Sequence, residues 1–161
     1  MSLSLAIFTE TPIAVWAPQV ATLLDAVGDI AYVGGGAARQ LVLPDAAPDA
    51  WDIDLFLYEG GSLMECKRRL LALGYTQESF TEHSSQFHPP VREGNLDVQI
   101  IEFFQDEWSL TSGEPEDVLS HFSFTTELFA VAIRNGTAVA IVGDNAIPSA
   151  YRRPPGGQVR L

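Results

Sequence analysis

Apolar positions along the chain fall into short runs with two periods. Val15, Val20, Leu23, Leu24 and Val27 recur at helical spacing and predict a helix that opens at Thr11-Pro12 and runs to about Val27. The apolar run over 30–33 predicts a strand that stops at Gly34-Gly35-Gly36, and a helix over 37–43 follows. Pro44-Asp45-Ala46-Ala47-Pro48-Asp49 reads as a loop, and 53–57 as a strand. Ser62, with Glu65 three residues later, marks the start of a helix over 62–73 that buries Leu63, Leu70 and Leu73; Gly74 ends it. Further on, the pattern predicts a strand over 75–82, a loop over 86–94, a long strand over 96–104 and a helix over 114–119. The apolar runs 128–133 and 138–142 flank Asn135-Gly136, the dipeptide of a tight hairpin. No internal repeat or low-complexity block interrupts this alternation.

Composition narrows the setting. The 161 residues suit one domain, expected over 1–147, and the stretch 148–161 is a basic tail: Arg152, Arg153 and Arg160 follow the last acid, Asp144. With 21 acidic and 9 basic side chains the formal charge is −12, yet 47% of residues are hydrophobic, more than a disordered acidic chain carries. Coating of long nucleic acid relies on Lys and Arg against phosphate, so extensive nucleic-acid binding by this chain alone is not expected. The first basic residue is Arg39, and no apolar run has the roughly 18–20 residues of a membrane span, so a soluble cytoplasmic protein with no membrane partner is expected. Cys66 is the only cysteine, which leaves no internal disulfide and assigns it to helix packing.

Three short motifs carry candidate chemistry. Gly34-Gly35-Gly36-Ala37-Ala38-Arg39 lies between a strand and a helix, where glycine lets backbone approach a ligand and N–H groups at a helix start attract phosphate. A tight strand-to-helix turn would use the same residues. Arg39 blocks the Rossmann pattern, and no Gly-Lys-Ser/Thr is present for a P-loop. In Trp51-Asp52-Ile53-Asp54-Leu55-Phe56-Leu57, strand alternation puts Asp52 and Asp54 on one face, with Phe56 continuing that face as apolar. Adjacent carboxylates repel unless a cation intervenes, and a hard divalent ion such as Mg²⁺ suits oxygen donors. The plainer alternative is that one aspartate caps a loop and the other is solvated. Asp97 opens a third apolar run, either as a further carboxylate for such a site or as an ordinary strand-start residue. His83, His88 and His121 have no metal-ligand spacing, Lys67-Arg68-Arg69 reads as a solvated helix face, and Trp16, Trp51 and Trp108 form no stacking series.

Taken together these motifs resemble the nucleotidyltransferase superfamily of DNA polymerase beta type, most nearly the head domain of CCA-adding and poly(A) polymerases. The group's Gly-Gly-x-Val-Arg-Asp corresponds to Gly35-Gly36-Ala37-Ala38-Arg39-Gln40, and its Asp-x-Asp to Asp52-Ile53-Asp54. Phe122-Ser123-Phe124-Thr125-Thr126 is similar to the group's Phe-Asp-Phe-Thr-Ile stretch, and the likeness covers about residues 30–135. Gln40 and Ser123 stand where the group has Asp, and fifteen residues separate Gly36 from Asp52, somewhat more than usual. The resemblance implies an α+β nucleotidyltransferase fold with a mixed sheet flanked by helices. It also implies a small metal-dependent enzyme that moves a nucleoside monophosphate from a nucleoside triphosphate such as ATP to a hydroxyl acceptor. Asp52, Asp54 and Asp97 would be the catalytic, metal-binding carboxylates for Mg²⁺ or Mn²⁺, and Gly35, Gly36 and Arg39 would bind the nucleotide. Thr125 would pack beside Phe124 rather than touch substrate. The acceptor is a small molecule, a protein or an RNA end. The alternative is a catalytically inactive nucleotide- or partner-binding member of the same fold, and a further alternative is an interaction domain with solvated aspartates.

Overall fold

A computed structural model of the chain describes residues 8–12, 17–43, 50–78, 85–101, 113–119 and 129–143. The helix α1 (Pro18–Val27) starts later than the sequence predicts. Two prolines compete to open it. Pro18 takes the first helical turn, where its missing N–H costs nothing, two residues ahead of the buried stripe Val20, Leu23, Leu24 and Val27. Pro12 instead ends β1 (Phe8–Pro12), an edge strand, where a residue without an N–H is tolerated.

β2 (Ala31–Gly34) is buried throughout and passes directly into α2 (Gly35–Val42), so two of the three glycines belong to the helix. β3 (Asp52–Leu57) follows, then α3 (Leu63–Ala72). Ser62 Oγ accepts from the Glu65 N–H at 3.2 Å, as the sequence predicts. The Glu65 carboxylate does not complete a capping box; it turns to Arg68 and Arg69, which hold it down to about 2. Arg69 also pairs with Asp29 at 2.6 Å and donates to the Ala26 carbonyl at 3.1 Å, docking α3 beside α1. Two of the three residues in the Lys67-Arg68-Arg69 cluster are thus engaged in local ion pairs. Gly74, at φ +95°, closes the helix.

Within the expected strand 75–82, β4 covers Thr76–Gln77 and residues 79–82 lie outside the described residues; β5 (Gln86–His88) occupies residues expected to be loop. β6 (Asp97–Ile101), α4 (Pro115–Leu119), β7 (Phe129–Arg134) and β8 (Thr137–Gly143) complete the described elements. Asn135 at φ 54° and Gly136 at φ 74° form the left-handed pair that the predicted hairpin requires. The strands make one eight-stranded sheet in the order β1-β8-β7-β2-β3-β6-β5-β4. β3 and β6 run parallel and the other neighbours antiparallel, so the protein has the α+β architecture with a mixed sheet and flanking helices. Among the described residues no helix is long and apolar enough to cross a membrane.

Alternation gives the sheet two unlike faces. Val33, Ile53, Leu55, Val98, Ile100 and Phe87 share one face and are buried, beneath α1 and its neighbours. The opposite face is divided. Over β2 and β3 it is aromatic: Tyr32 stacks on Phe56 with ring centres 5.8 Å apart, and Tyr58 tilts against Tyr32 at 5.1 Å. The Phe56 ring lies so close over Gly34 that a Cβ there would come within 2.6 Å of it, which accounts for the first glycine of the triplet. On the β7 side this face is tied to α4 by Arg134, which makes two bonds to Glu116, at 3.0 and 2.6 Å, and one to Glu10 at 2.7 Å. That pairing holds the Glu116 carboxyl below the ordinary glutamate value. Toward β6 the same face turns polar and carries the candidate site.

Candidate functional site

Asp52 and Asp54 alternate with buried Ile53 and Leu55, which anchor β3 in the core and leave both carboxylates on the polar face. The parallel register pairs Asp52 with Asp97 and Asp54 with Gln99. Lateral partners in a sheet point the same way, so all three aspartates share one face, as the sequence pattern and the resemblance together require. Phe56 continues that face as an apolar, buried residue, again as predicted. Burial, and then the Asp97 charge beside it, push the Asp52 carboxyl above the ordinary aspartate value.

Asp54 meets the glycine turn. In the antiparallel pair β2–β3 it lies opposite Gly34, and its Oδ2 is 3.1 Å from where a Gly35 Cβ would stand. Gly35 has φ +67°, so it is constrained twice, by a left-handed backbone and by the carboxylate. Gly36 is different. A Cβ there would meet only Arg39 Nη2 at 3.7 Å and the Ala50 Cβ at 4.0 Å, ordinary contacts. Arg39 therefore folds back toward Gly36, and the candidate nucleotide-binding residues lie together at the start of α2.

Two glutamines hold the strand starts. Gln40 Oε1 accepts from the Ala50 N–H at 2.7 Å, which pins the chain two residues before Asp52. Gln40, which stands where the group that the sequence resembles has Asp, thus has a structural task. Gln19, on α1, clamps the peptide before Asp97: its Oε1 accepts from the Leu96 N–H at 2.8 Å and its Nε2 donates to the Leu96 carbonyl at 2.7 Å. Between these elements lies a mainly apolar cavity of about 360 Å³, bordered by Gln19, Val20, Gln40, Ala50, Ile53 and Leu96.

His88, which lacks metal-ligand spacing and reads from the sequence as a solvated or hydrogen-bonded histidine, and Gln86, expected in a loop, both stand against Asp97. His88 Nδ1 stands 2.9 Å from Asp97 Oδ1, and Gln86 Nε2 donates to Asp97 Oδ2 at 3.4 Å. On its other side His88 Nε2 is 3.8 Å from Glu78 Oε2. The only hint in the sequence is the polar–apolar–polar order Gln86-Phe87-His88, outweighed there by Pro89-Pro90 and Gly94. Cys66 is fully buried and its thiol is pushed up to about 11 by burial, a packing residue as expected. Trp51, next to Asp52, is 87% exposed. The stretch Phe122-Ser123-Phe124-Thr125-Thr126, the tail 148–161, His83, His121, Trp16 and Trp108 lie outside the described residues.

The donor chemistry suits a hard divalent cation. The candidates are carboxylate oxygens on one face, two of them in register on adjacent strands, and both influences that raise Asp52 would be offset by a cation. The geometry is less complete, since among the described residues no three His, Cys, Asp or Glu side chains gather closely enough to hold one ion.

No protein-family profile matches the chain, and no curated protein matches it. Among solved structures it is similar to a tRNA nucleotidyltransferase crystallised with a primer tRNA and an incoming ATP analog, at 18% identity and a TM-score of 0.46. That similarity covers 73% of this chain, which spans about a third (33%) of the other protein's length.

Proposed function

We propose that the chain is a nucleotidyltransferase that moves a nucleoside monophosphate from a nucleoside triphosphate to a hydroxyl acceptor. The observation that carries this reading is the pairing of Asp52 with Asp97 across the parallel strands β3 and β6, with Asp54 on the same face against Gly35. In the reaction the acceptor oxygen forms a bond to the α-phosphorus, the bond from that phosphorus to the β-phosphate bridging oxygen breaks, and pyrophosphate leaves. Bound Mg²⁺ or Mn²⁺ would neutralise charge on the phosphate oxygens and acidify the acceptor hydroxyl. Asp52, Asp54 and Asp97 are its proposed ligands, and Asp97 is the proposed acceptor of the hydroxyl proton.

The N–H groups around Gly35 and Gly36 would receive the triphosphate, and Arg39 would add a charge-assisted bond. Comparison of two variants separates these roles. Gly35→Ala is expected to cost about 1–2 kcal/mol of stability through its left-handed backbone. Gly36→Ala should leave the melting temperature near wild type yet weaken nucleoside triphosphate binding, because its Cβ would intrude only on ligand space. Unchanged triphosphate affinity in Gly36→Ala would remove Gly36 from the binding surface.

The net charge of −12 favours a small-molecule or protein hydroxyl over a long nucleic acid. The deciding experiment is a screen of labelled nucleoside triphosphates with Mg²⁺ or Mn²⁺ against candidate acceptors. It would use Asp52→Ala/Asp54→Ala as control, with cytoplasmic conditions as the starting point. The absence of both label transfer and metal-dependent thermal stabilisation would overturn the reading.

One observation favours a second reading, an inactive member that binds nucleotide or a partner. The three carboxylates do not gather round one point among the described residues. Triphosphate binding without transfer to any acceptor would decide for that reading.

A further inference from the structure

We propose that His88 is the positioning residue of Asp97: it fixes the orientation of the third carboxylate proposed to bind a divalent cation. This inference rests on the reading of Asp97 as a metal ligand. Three observations carry it. The first is register: β5 pairs antiparallel with β6, Phe87 opposite Val98 and Gln86 opposite Gln99, so His88 falls opposite Asp97 on the polar face. The second is anchorage: Phe87 is fully buried, which stops the three-residue strand from sliding and fixes the imidazole where it is. The third is contact: the His88 side chain is 24% exposed and its Nδ1 lies 2.9 Å from Asp97 Oδ1.

A carboxylate only accepts, so Nδ1 carries the proton and donates it to Asp97. Gln86 steadies the other oxygen from 3.4 Å. A partner that hydrogen-bonds a ligating carboxylate orients it, and losing such a partner typically costs about 10- to 100-fold in metal affinity or activity. A hydrogen bond that merely ties β5 to β6 would affect folding and leave metal affinity alone.

The test is Mn²⁺ binding to the protein without nucleotide, read from the electron paramagnetic resonance signal of free Mn²⁺, with melting temperature measured in parallel. His88→Ala is expected to weaken Mn²⁺ binding by about 10- to 100-fold. His88→Asn places its amide nitrogen where Nδ1 stood and should restore affinity to within about threefold of wild type; His88→Gln places it one bond further out and should not. In an Asp97→Asn background, His88→Ala should cause no further loss, because the residue acts only through Asp97. Wild-type affinity in His88→Ala overturns the proposal, as does a loss that persists undiminished in the Asp97→Asn background. If His88→Ala fails to fold, the Asn and Gln variants decide, and equal Mn²⁺ affinity in those two overturns the proposal. A wild-type protein that binds no Mn²⁺ overturns the metal-site reading itself, a result distinct from wild-type binding that is indifferent to residue 88.

Discussion

Asp52→Asn is expected to lower nucleotidyl transfer by about 10²- to 10³-fold, the scale of removing one preorganised electrostatic group from a reacting centre. The same change should leave the protein as stable as before or slightly more so. Asp52 and Asp97 are direct cross-strand partners, and like charges placed opposite each other destabilise a sheet by about 0.2–1 kcal/mol. Asparagine keeps the shape and removes the repulsion. Asp52 also sits on the polar face, with its neighbours Ile53 and Leu55 supplying the burial that holds β3. The measurement pairs transfer rates with urea denaturation midpoints. Loss of activity together with a matching loss of stability would mean that Asp52 has a structural role. Unchanged activity would remove it from the proposed site. A site that trades stability for chemistry should show the opposite signs, and few structural residues can.

Phe87→Ala is the stability change with the largest expected effect, a loss of about 3–5 kcal/mol. Phe87 is fully buried and is the single core residue of a strand only three residues long. Its neighbours Gln86 and His88 are polar and cannot replace the lost apolar contact. A domain of this size has about 5–15 kcal/mol of total stability, so the variant should lose a large share of it. The damage should also reach the site. β5 holds its place against β6 through Phe87, and without it Gln86 and His88 leave Asp97. Urea denaturation gives the stability, and protection of the amides on β5 and β6 against hydrogen exchange gives the location. A loss under about 1 kcal/mol would show that residues 86–88 do not pack as a core strand.

The contrast between α3 and β5 shows what could be read in advance. For α3 the signals are local: Ser62 accepts from an N–H three residues on, and Gly74 takes the positive φ that stops the helix. The Asn135-Gly136 hairpin is local in the same way. β5 has no such signal. Three residues carry too little alternation to outweigh Pro89-Pro90 and Gly94, and the strand exists because β6 offers it a ladder. Similarly, Thr11-Pro12 and Pro18 are both acceptable helix openings when read locally. Only the pairing of Phe8–Pro12 with β8, far away in the chain, assigns the first to a strand.

The candidate site divides along the same line. Alternation within one strand places Asp52 and Asp54 on a common face, and the glycine triplet marks a strand-to-helix turn, because each statement needs only neighbouring residues. That Asp97 stands beside Asp52, that Gly35 yields its space to Asp54 and that His88 reaches Asp97 all depend on which strands pair and in which register. Gln19 is the clearest case: an unremarkable polar position on a helix, it pairs with the backbone of Leu96, 77 residues away, and so holds the chain just ahead of Asp97. Periods, caps and turn chemistry are short-range properties, and sequence alone determines them here. Strand order and register are set by burial of the whole sheet against its helices, and only the tertiary structure decides them.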